Sequence, residues 1–391
     1  MISASKTFCS APWTSLNIDQ TGRVSPCMHA VDAIGNIKQN TIWEIIAGAQ
    51  LTSIKQAMQQ GQWHDTCRLC KQSEDTTGIS ARTQRHCDTT TIDAIDQDIT
   101  WFEPQHFVVN WSNLCNLSCV YCNSDTSTAW QSVKKIPIKY VRNDQQSILE
   151  LMQAKGKSLQ GLVLGGGEPL LQKGLLDMLR CLDSQKVRVM VTTNLSMDLA
   201  NNDIYNELKT WPSVDWQVSF DNCTADRFEY VRDGANWIQF KTNLDLLKAD
   251  GQHVQAHPAY SIYCAFDLVE YYEFCEANDL NLFWCELTNP WDLDVRRLSP
   301  EIRQLAVDEI DRVTQRWGQE NEHNLAVSTL QRYRAQLLDN SYIFNVNEYI
   351  PDTLAWHRNI ELELNKSKKF EDLWPDLAER IIHDWHETKS A

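Results

Sequence analysis

Three cysteines within eight residues constrain this chain more than any other feature. Cys115, Cys119 and Cys122 form a Cys-x3-Cys-x2-Cys run, shortly after an apolar segment that begins at Phe107. Electron-transfer 4Fe–4S clusters are closed by four cysteines, so three thiolates on one loop leave one iron without a local ligand. An open iron can bind and activate another molecule. The alternatives are three incidental cysteines or a structural zinc loop, which normally pairs Cys-x2-Cys knuckles and closes at four ligands.

The three-cysteine loop, with the aromatic Tyr121 before its last cysteine, resembles that of the radical S-adenosylmethionine (SAM) enzymes. The resemblance covers roughly residues 107 to 290. It implies that Cys115, Cys119 and Cys122 hold a 4Fe–4S cluster whose open iron chelates the amino and carboxylate groups of SAM. It also implies reductive cleavage of SAM to a 5′-deoxyadenosyl radical, which takes hydrogen from a substrate. Tyr121 would lie beside the adenine.

A second set of cysteines begins upstream, around a predicted hairpin. Cys9 precedes an alternating segment, Ser15–Asp19, that is typical of a strand, and Val24–Cys27 leads back from a turn at Gly22. A hairpin of this kind brings Cys9 and Cys27 near one another.

The same set is completed by Cys67 and Cys70, a Cys-x2-Cys knuckle. The pattern Cys-x12-Gly-x4-Cys followed by this knuckle resembles the SPASM or Twitch auxiliary-cluster module, which usually follows the radical SAM core and here precedes it. The resemblance implies that Cys9, Cys27, Cys67 and Cys70 close an auxiliary 4Fe–4S cluster. A zinc ribbon is the alternative, because spacing alone does not separate iron from zinc. We interpret Cys87 as a packing residue.

Other local patterns complete the N-terminal region. Gly35-Asn36 is typical of a turn, and apolar positions at helical spacing predict one helix from Thr41 to Gln60 with Thr41 as its N-cap. Residues 73–106 are polar and favour a linker. Within them, Arg82 and Arg85 are candidates for a substrate cavity, although a solvated charged segment is the more usual explanation.

From Phe107 onward, apolar strands alternate with helical segments, which indicates βα units and a parallel sheet. The six predicted strands are residues 107–111, 161–164, 187–192, 214–220, 254–263 and 280–287. Six such units match the partial (β/α)6 barrel of the resembled family, so the predicted class is α/β. Chemistry in such barrels gathers at the C-terminal ends of the strands. Beyond Pro290 the pattern turns helical, with a helix beginning at Ser299-Pro300.

A glycine-rich motif follows the second strand directly. It consists of Gly165, Gly166, Gly167, Glu168 and Pro169, and it begins 43 residues after Cys122. Successive glycines allow the backbone to approach a ligand closely. The motif lacks the Lys-Ser/Thr of a phosphate loop. It matches the GGE(P) motif with which the resembled family holds the SAM ammonium group through backbone carbonyls.

Further candidate residues lie at other strand ends. By the same resemblance, the ribose hydroxyls of SAM meet the ends of strands three and four, at Thr193, Asn194, Ser219 and Asp221. Ordinary loop capping is the alternative for these residues. Candidates for substrate contacts are Asn110, Trp111, His257, Tyr260, Trp284, Glu286 and Asn289. A salt-bridged structural carboxylate is the alternative for Glu286.

Composition limits the classes of partner and the cellular location that the sequence predicts. Lys plus Arg is 36 and Asp plus Glu is 52, which gives a net charge of −16 and argues against general nucleic-acid binding. No apolar run is long enough for a membrane span, and the N-terminus lacks signal-peptide features. Thirteen cysteines without an export signal favour reduced thiols in the cytoplasm. The predicted regions are 1–90 for the auxiliary module, 91–106 for a linker, 107–290 for the core and 291–391 for a helical tail.

These observations predict a radical SAM oxidoreductase or transferase with an auxiliary cluster. The expected substrate is a peptide or protein side chain, because auxiliary clusters of this type resemble those of peptide-modifying enzymes. A small molecule (a sugar, nucleotide or amino acid) is the second candidate, and a degenerate binding protein without turnover is the third. A flavodoxin or ferredoxin is the expected electron donor.

Overall fold

The computed structural model describes residues 7–85, 98–138, 145–287, 289–318, 324–339 and 346–390. Cys87 and residues 91–97 of the predicted linker lie outside this part. The chain divides into two compact units. The first comprises residues 1–114, 139–191 and 201–215, and the second comprises residues 115–138, 192–200 and 216–391.

The first unit is built on a mixed sheet. Its strands are β1 (Ser15–Ile18), β2 (Arg23–Ser25), β3 (Gly35–Asn36), β4 (His106–Asn110), β5 (Gly161–Gly165) and β6 (Arg188–Thr193). The order is β3-β2-β1-β4-β5-β6, and β6 extends by two residues into the second unit. Strands β1, β4, β5 and β6 are parallel, while β2 and β3 pair in antiparallel fashion. The predicted α/β class with parallel strands is confirmed.

The N-terminal hairpin is part of this sheet. Strand β1 pairs in parallel with β4, so that Leu16 lies opposite Phe107 and Ile18 lies opposite Val109. All four of these side chains are buried. The hairpin that follows Cys9 therefore continues the sheet of the predicted core and shares its apolar packing.

The hairpin prediction is confirmed, and the prediction for the residues after it is wrong. Gly22 forms the turn with φ +85°, a backbone conformation that favours glycine. Gly35-Asn36 is not a turn but the third strand, because Arg23 and Val24 pair with it and supply its hydrogen-bonding edge.

The helices of the first unit are α1 (Ala11–Thr14), α2 (Ile42–Ile46), α3 (Ala49–Gln59), α4 (Arg68–Thr77), α5 (Ala81–Arg85), α7 (Gln145–Lys155), α8 (Leu175–Leu179) and α9 (Asp203–Leu208). Thr41 caps α2 through a capping box with Glu44, as predicted. The predicted single helix is broken in two because Gly48 is extended and acts as the N-cap of α3. The predicted linker is also helical at its start, since α4 runs to Thr77 and α5 follows it.

The second unit carries the remaining elements: α6 (Thr128–Val133), most of β7 (Val214–Val218), α10 (Ala225–Val231), α11 (Trp237–Ala249), β8 (His253–Ala256), β9 (Ala259–Tyr260), α12 (Leu268–Ala277), β10 (Asn281–Leu282) and β11 (Cys285–Glu286). The fifth and sixth predicted strands are each divided in two. Strand β8 pairs with β10, and β9 pairs separately with β11, all in parallel.

The C-terminal region is helical, as predicted. Its helices are α13 (Pro300–Trp317), α14 (Asn324–Leu338), α15 (Val346–Glu363), α16 (Phe370–Leu373) and α17 (Pro375–Ser390). Ser299 caps α13 by accepting a hydrogen bond from the Ile302 amide, with Pro300 at the first position. Helix α13 packs against α14, and α15 packs against α17.

Within the described ranges, none of the helices combines the length and the apolar character that a membrane span requires.

Candidate functional site

The backbone of the three-cysteine loop is fixed on one side by the segment after α10. The Ser118 amide donates to the Asp233 carbonyl at 2.9 Å, and the Val120 amide donates to the Val231 carbonyl at 2.9 Å. Two strand-like hydrogen bonds therefore hold the middle of the loop, which contains Cys119.

Helix α6 fixes the loop on the other side. The Ser127 hydroxyl donates to the Leu117 carbonyl at 2.7 Å, and the Trp130 indole donates to the Cys119 carbonyl at 2.9 Å. The Thr128 hydroxyl donates to the Cys115 carbonyl at 3.0 Å. These buried or partly buried bonds hold the backbone that carries the three cysteines.

None of the three cysteines forms a disulfide, and Arg232 lies near Cys119 and Cys122. A hydrogen bond between the side chains of Cys119 and Cys122 raises the pKa of Cys119, to which burial adds, and lowers the pKa of Cys122. The Arg232 guanidinium acts to lower the pKa of both thiols. A buried cation beside the loop favours the thiolate form that binds iron.

Asp221 links the loop to two other segments. Its carboxylate accepts hydrogen bonds from the Tyr121 hydroxyl at 2.9 Å and from the Ala259 amide at 2.9 Å, and it pairs with Arg232 at 2.9 Å. Its side chain is fully buried, and that of Arg232 is 7% exposed. Although burial acts to lower it, the pKa of Arg232 is raised by Asp221. We predicted Asp221 as a ribose ligand, and the structure places it in this internal network.

Asn194, at the end of β6, contacts the loop directly. Its amide nitrogen lies 3.8 Å from the Cys115 sulfur and 3.3 Å from the Asn116 side-chain oxygen. Ser196 closes the network, because its hydroxyl donates to Asn194 at 2.6 Å and accepts from Asn116 at 2.8 Å. An amide that donates to a cysteine sulfur also stabilises a thiolate or a cluster bound there.

The other two predicted ribose residues differ in their surroundings. The Thr193 hydroxyl is buried and accepts from the Leu195 amide at 3.0 Å, which is a turn-capping contact. Ser219 is half-buried, and its amide donates to the Thr193 carbonyl at 2.9 Å. Among the described residues its hydroxyl has no partner, so Ser219 is available for a ligand.

In the first unit, the glycine motif lies against the chain that leaves β4. A side chain at Gly167 would place its Cβ 2.2 Å from the Leu114 carbonyl oxygen, and one at Gly166 would meet the Ser112 carbonyl at 2.7 Å. The Gly167 amide also donates to that Ser112 carbonyl, at 2.8 Å. The glycines therefore permit backbone-to-backbone packing, a role that the sequence analysis did not anticipate. Glu168 is buried, and its carboxylate accepts from the Leu170 amide at 3.1 Å.

The four N-terminal cysteines line one pocket of the first unit. Its walls include Cys9, Cys27, Cys67 and Cys70. Burial raises the pKa of Cys9 well above its usual range and that of Cys67 to about 12, and the neighbouring cysteines add to both shifts. In the part of the chain that the structure describes, no three His, Cys, Asp or Glu side chains are arranged to hold a single metal ion. The four thiols surround a shared space. Four thiolates, one for each iron, are the ligand set that closes a 4Fe–4S cluster.

Arg82 lines the same pocket, contrary to the expectation of a solvated or substrate-facing residue. Its guanidinium forms an ion pair with Glu74 at 2.5 Å and donates to the Phe8 carbonyl at 2.8 Å. It also acts to lower the pKa of Cys67. The residue is buried because helices α4 and α5 fold onto the cysteine pocket, which polar composition alone did not reveal.

The predicted substrate residues occupy several environments. Trp284 is buried in the core, and its indole donates to the Tyr272 hydroxyl at 3.3 Å. A ring nitrogen of His257 lies 3.1 Å from the Phe283 carbonyl, and burial lowers the pKa of this histidine. Glu286 pairs with Arg296 at 2.6 Å, which is the salt bridge weighed as the alternative. Trp111 is buried, and Asn289 is exposed.

Sequence reasoning missed several residues that support the loop, among them Thr128, Trp130 and Arg232. Thr128 and Trp130 follow the last cysteine on a short helix, and nothing in their spacing indicates that they bond back to loop carbonyls. Arg232 ends a helix more than a hundred residues away, and an arginine at that position usually lies in solvent.

Comparisons with known proteins identify the class. The model of the radical SAM superfamily matches residues 109–261, and the model of the SPASM iron–sulfur cluster-binding domain matches residues 9–71. The chain therefore contains a radical SAM domain, with a SPASM domain N-terminal to it.

One curated relative matches part of the chain. The 7-carboxy-7-deazaguanine synthase of Clostridium acetobutylicum is 31% identical over 115 residues, which are 29% of this chain and 47% of that protein. The chain thus spans about half the length of this curated relative.

Two solved structures show a partial likeness in fold. The structure of anSMEcpe with bound AdoMet is 15% identical with a TM-score of 0.43, over 56% of this chain and 63% of that one. Streptococcus suis SuiB bound to the precursor peptide SuiA is 13% identical with a TM-score of 0.43, over 68% of this chain and 60% of that one. Likenesses this distant carry no argument about activity.

Proposed function

We propose that this protein is an enzyme that reductively cleaves SAM and uses the resulting 5′-deoxyadenosyl radical to take hydrogen from a substrate. The proposal rests on the three-cysteine loop. Its cysteines form no disulfide, and its backbone is held by α6 and by the segment after α10. Three fixed thiols with no fourth cysteine in the motif fit a cluster with one open iron.

The residues around the loop have separate roles in this proposal. Cys115, Cys119 and Cys122 hold the cluster, which when bound supplies the electron that cleaves SAM. Asn194 donates toward Cys115, and Arg232 places a positive charge near the other two cysteines. The ribose contact is assigned to Ser219, whose hydroxyl has no protein partner among the described residues. Gly165 to Pro169 remain the predicted contact for the amino group of SAM.

Asp221 is better described as a positioning residue than as a ribose ligand. It already accepts hydrogen bonds from Tyr121 and the Ala259 amide and pairs with Arg232. Through Tyr121 it fixes the loop next to Cys122. A single buried carboxylate therefore orients the loop while neutralising the buried arginine.

The N-terminal pocket is proposed to hold an auxiliary 4Fe–4S cluster. Four thiols that line one space provide the complete set of ligands, and binding would release the protons that burial now favours on Cys9 and Cys67. An auxiliary cluster can accept an electron from a substrate radical, which makes net oxidation or cross-linking possible.

A peptide or protein side chain is the substrate class we propose first. The SPASM match to residues 9–71 supports it, because such domains resemble the auxiliary modules of peptide-modifying enzymes. We further propose that a flavodoxin or ferredoxin supplies the electron, and that the protein works in the cytoplasm, where its cysteines stay reduced.

A small molecule is the second candidate substrate. One observation favours it: the curated relative with 31% identity is a synthase of a deazaguanine, and it matches over 115 residues. The two candidates differ in size and in their sensitivity to proteases.

A fractionation experiment separates them. The reconstituted protein is incubated with SAM, dithionite and a low-molecular-mass extract of its host, and release of 5′-deoxyadenosine is followed. A peptide substrate predicts stimulation that disappears when the extract is first treated with a nonspecific protease. Stimulation that survives the protease contradicts the peptide proposal and supports a small molecule. A Cys115→Ala variant provides the background rate.

A further inference from the structure

Arg232 and Cys119 occupy facing positions in the backbone of the second unit. The amides on either side of Cys119, those of Ser118 and Val120, donate to the carbonyls on either side of Arg232, each at 2.9 Å. Both side chains are buried, with 5% exposure each. Arg232 also lies near Cys122. A fixed positive charge is therefore enclosed in the protein beside two of the three loop cysteines.

The ion pair that contains this charge is asymmetric with respect to the loop. The Arg232 guanidinium lies 5.6 Å from the centroid of the Tyr121 ring, whereas Asp221 accepts from the hydroxyl, the end of Tyr121 furthest from the loop backbone. The pKa of Cys119 is governed first by its hydrogen bond with Cys122 and by burial, and Arg232 lowers it by more than Asp221 raises it. The positive end of the pair therefore has the larger electrostatic effect at this cysteine.

One donor of the guanidinium is not used by the protein. Nη2 of Arg232 pairs with Asp221 at 2.9 Å, while Nε is buried and has no hydrogen-bond partner among the described residues. Buried polar groups are nearly always hydrogen-bonded, and exceptions are found at redox and catalytic sites. Arg232 thus has hydrogen-bonding capacity beside the loop beyond what its structural contacts require.

A fixed buried charge changes how easily a nearby cluster is reduced. Reduction adds one electron, and the potentials of 4Fe–4S clusters depend on local charge and on hydrogen bonds to their sulfurs. A positive charge stabilises the reduced form and raises the potential, whereas a carboxylate has the opposite effect. Burial strengthens both effects, because the effective dielectric constant inside a protein is lower than in water. An arginine can supply such a charge permanently, since its guanidinium stays protonated in proteins.

We propose that Arg232 raises the reduction potential of the cluster held by the three-cysteine loop and that Asp221 limits this rise. In the step concerned, one electron passes from a reductant, here a flavodoxin or ferredoxin, to the oxidised cluster, and no bond is broken. Arg232 stabilises the added negative charge, while Asp221 keeps the guanidinium in place. The inference rests on the cluster proposed above.

Opposite shifts of the potential in two variants test the proposal. An EPR-monitored redox titration is carried out anaerobically on the full-length, cluster-loaded protein without SAM. The loop cluster is identified as the signal that disappears in a variant lacking Cys115, Cys119 and Cys122. Arg232→Gln is expected to shift its potential to more negative values, and Asp221→Asn is expected to shift it to more positive values.

The size of the shift follows from the distance over which a buried charge acts. At an effective dielectric constant of about 20, a unit charge about 10 Å away changes a one-electron equilibrium by about tenfold. A tenfold change corresponds to about 59 mV. Arg232→Lys keeps the charge and is expected to stay close to the wild type. Arg334→Gln removes the same charge from a partly exposed pair with Asp311, and this control is expected to leave the potential unchanged.

A double variant keeps the test decisive if either single variant unfolds. Arg232→Gln combined with Asp221→Asn removes both charges, so that neither is left buried without its partner. Its potential is expected to be more negative than that of the wild type, because Arg232 has the larger effect. An unchanged potential in the double variant, or shifts of the same sign in the two single variants, overturns the proposal. So does loss of the loop cluster from all three variants, which would make the pair purely structural.

Release of 5′-deoxyadenosine is measured in parallel with SAM and dithionite. Opposite shifts of the potential without any release by the wild type would contradict SAM cleavage and still support the role of Arg232. Normal release by the wild type with unshifted potentials in the variants would overturn the role of Arg232 alone.

Discussion

The hydroxyl of Tyr121 donates a 2.9 Å hydrogen bond to the carboxylate of Asp221, a hundred residues further along the chain. Asp221 also pairs with the buried Arg232, whose guanidinium lies 5.6 Å from the centroid of the Tyr121 ring. These three side chains join the cysteine loop, the end of strand β7 and the end of helix α10. One buried ion pair therefore adds to the backbone hydrogen bonds that hold the loop.

Asp221→Asn is expected to lower the free energy of unfolding by about 3–5 kcal/mol, because it leaves the Arg232 charge buried without its partner. Urea unfolding under anaerobic conditions measures the change. Asp311→Asn is the control, since Asp311 forms a partly exposed pair with Arg334 and is expected to cost less than about 1 kcal/mol. Equal small losses in the two variants would show that the buried pair is not what holds the loop.

Gly167→Ala is expected to lower the free energy of unfolding by about 1–3 kcal/mol. The added Cβ would lie 2.2 Å from the backbone oxygen of Leu114, the residue just before Cys115. Release of 5′-deoxyadenosine is expected to fall with it. Gly251→Ala separates this contact from backbone strain, since Gly251 has φ +69° but nothing within 4 Å of an added Cβ. If that control loses as much SAM cleavage as Gly167→Ala, the close packing is not the cause.

The free energy of unfolding is expected to decrease as the pH is lowered, because His357 is buried. Burial lowers the pKa of this histidine to about 4, while its hydrogen bonds to Tyr263 and Thr353 keep it in place. Below the ordinary pKa of 6.5, the unfolded chain takes up a proton that the folded chain does not, so stability is lost as the pH falls from there toward about 4.

Between about pH 7 and about pH 5.5, the contribution of His357 amounts to about 1 kcal/mol. Urea unfolding at both pH values is expected to show this loss in the wild type and in His253→Gln, an exposed control, but not in His357→Gln. The same pH dependence in all three proteins would contradict the assignment.

Iron content is expected to reach about eight per chain after anaerobic reconstitution, from two 4Fe–4S clusters. Removing Cys67 and Cys70 together is expected to leave about four irons, and so is removing the three loop cysteines. Four irons and one zinc per wild-type chain would show that the N-terminal cysteines bind zinc and not an auxiliary cluster. Elemental analysis of the three proteins distinguishes these outcomes.

Local spacing was sufficient to predict the loop, the glycine motif and the helix caps, because each depends on neighbours in sequence. The pairing of β1 with β4 was not predictable, since it joins strands ninety residues apart that each carry only a short apolar pattern. Gly35-Asn36 was read as a turn because its strand character comes from β2. The ion pair of Arg232 with Asp221 and the burial of Arg82 arise only from tertiary packing.

The most direct test of the proposed chemistry is incubation of the cluster-loaded protein with SAM and dithionite. Release of 5′-deoxyadenosine is expected from the wild type and, at a reduced rate, from the Cys67/Cys70 variant. None is expected from a variant that lacks Cys115, Cys119 and Cys122. No release from wild-type protein with both clusters intact would contradict SAM cleavage and favour a binding protein without turnover.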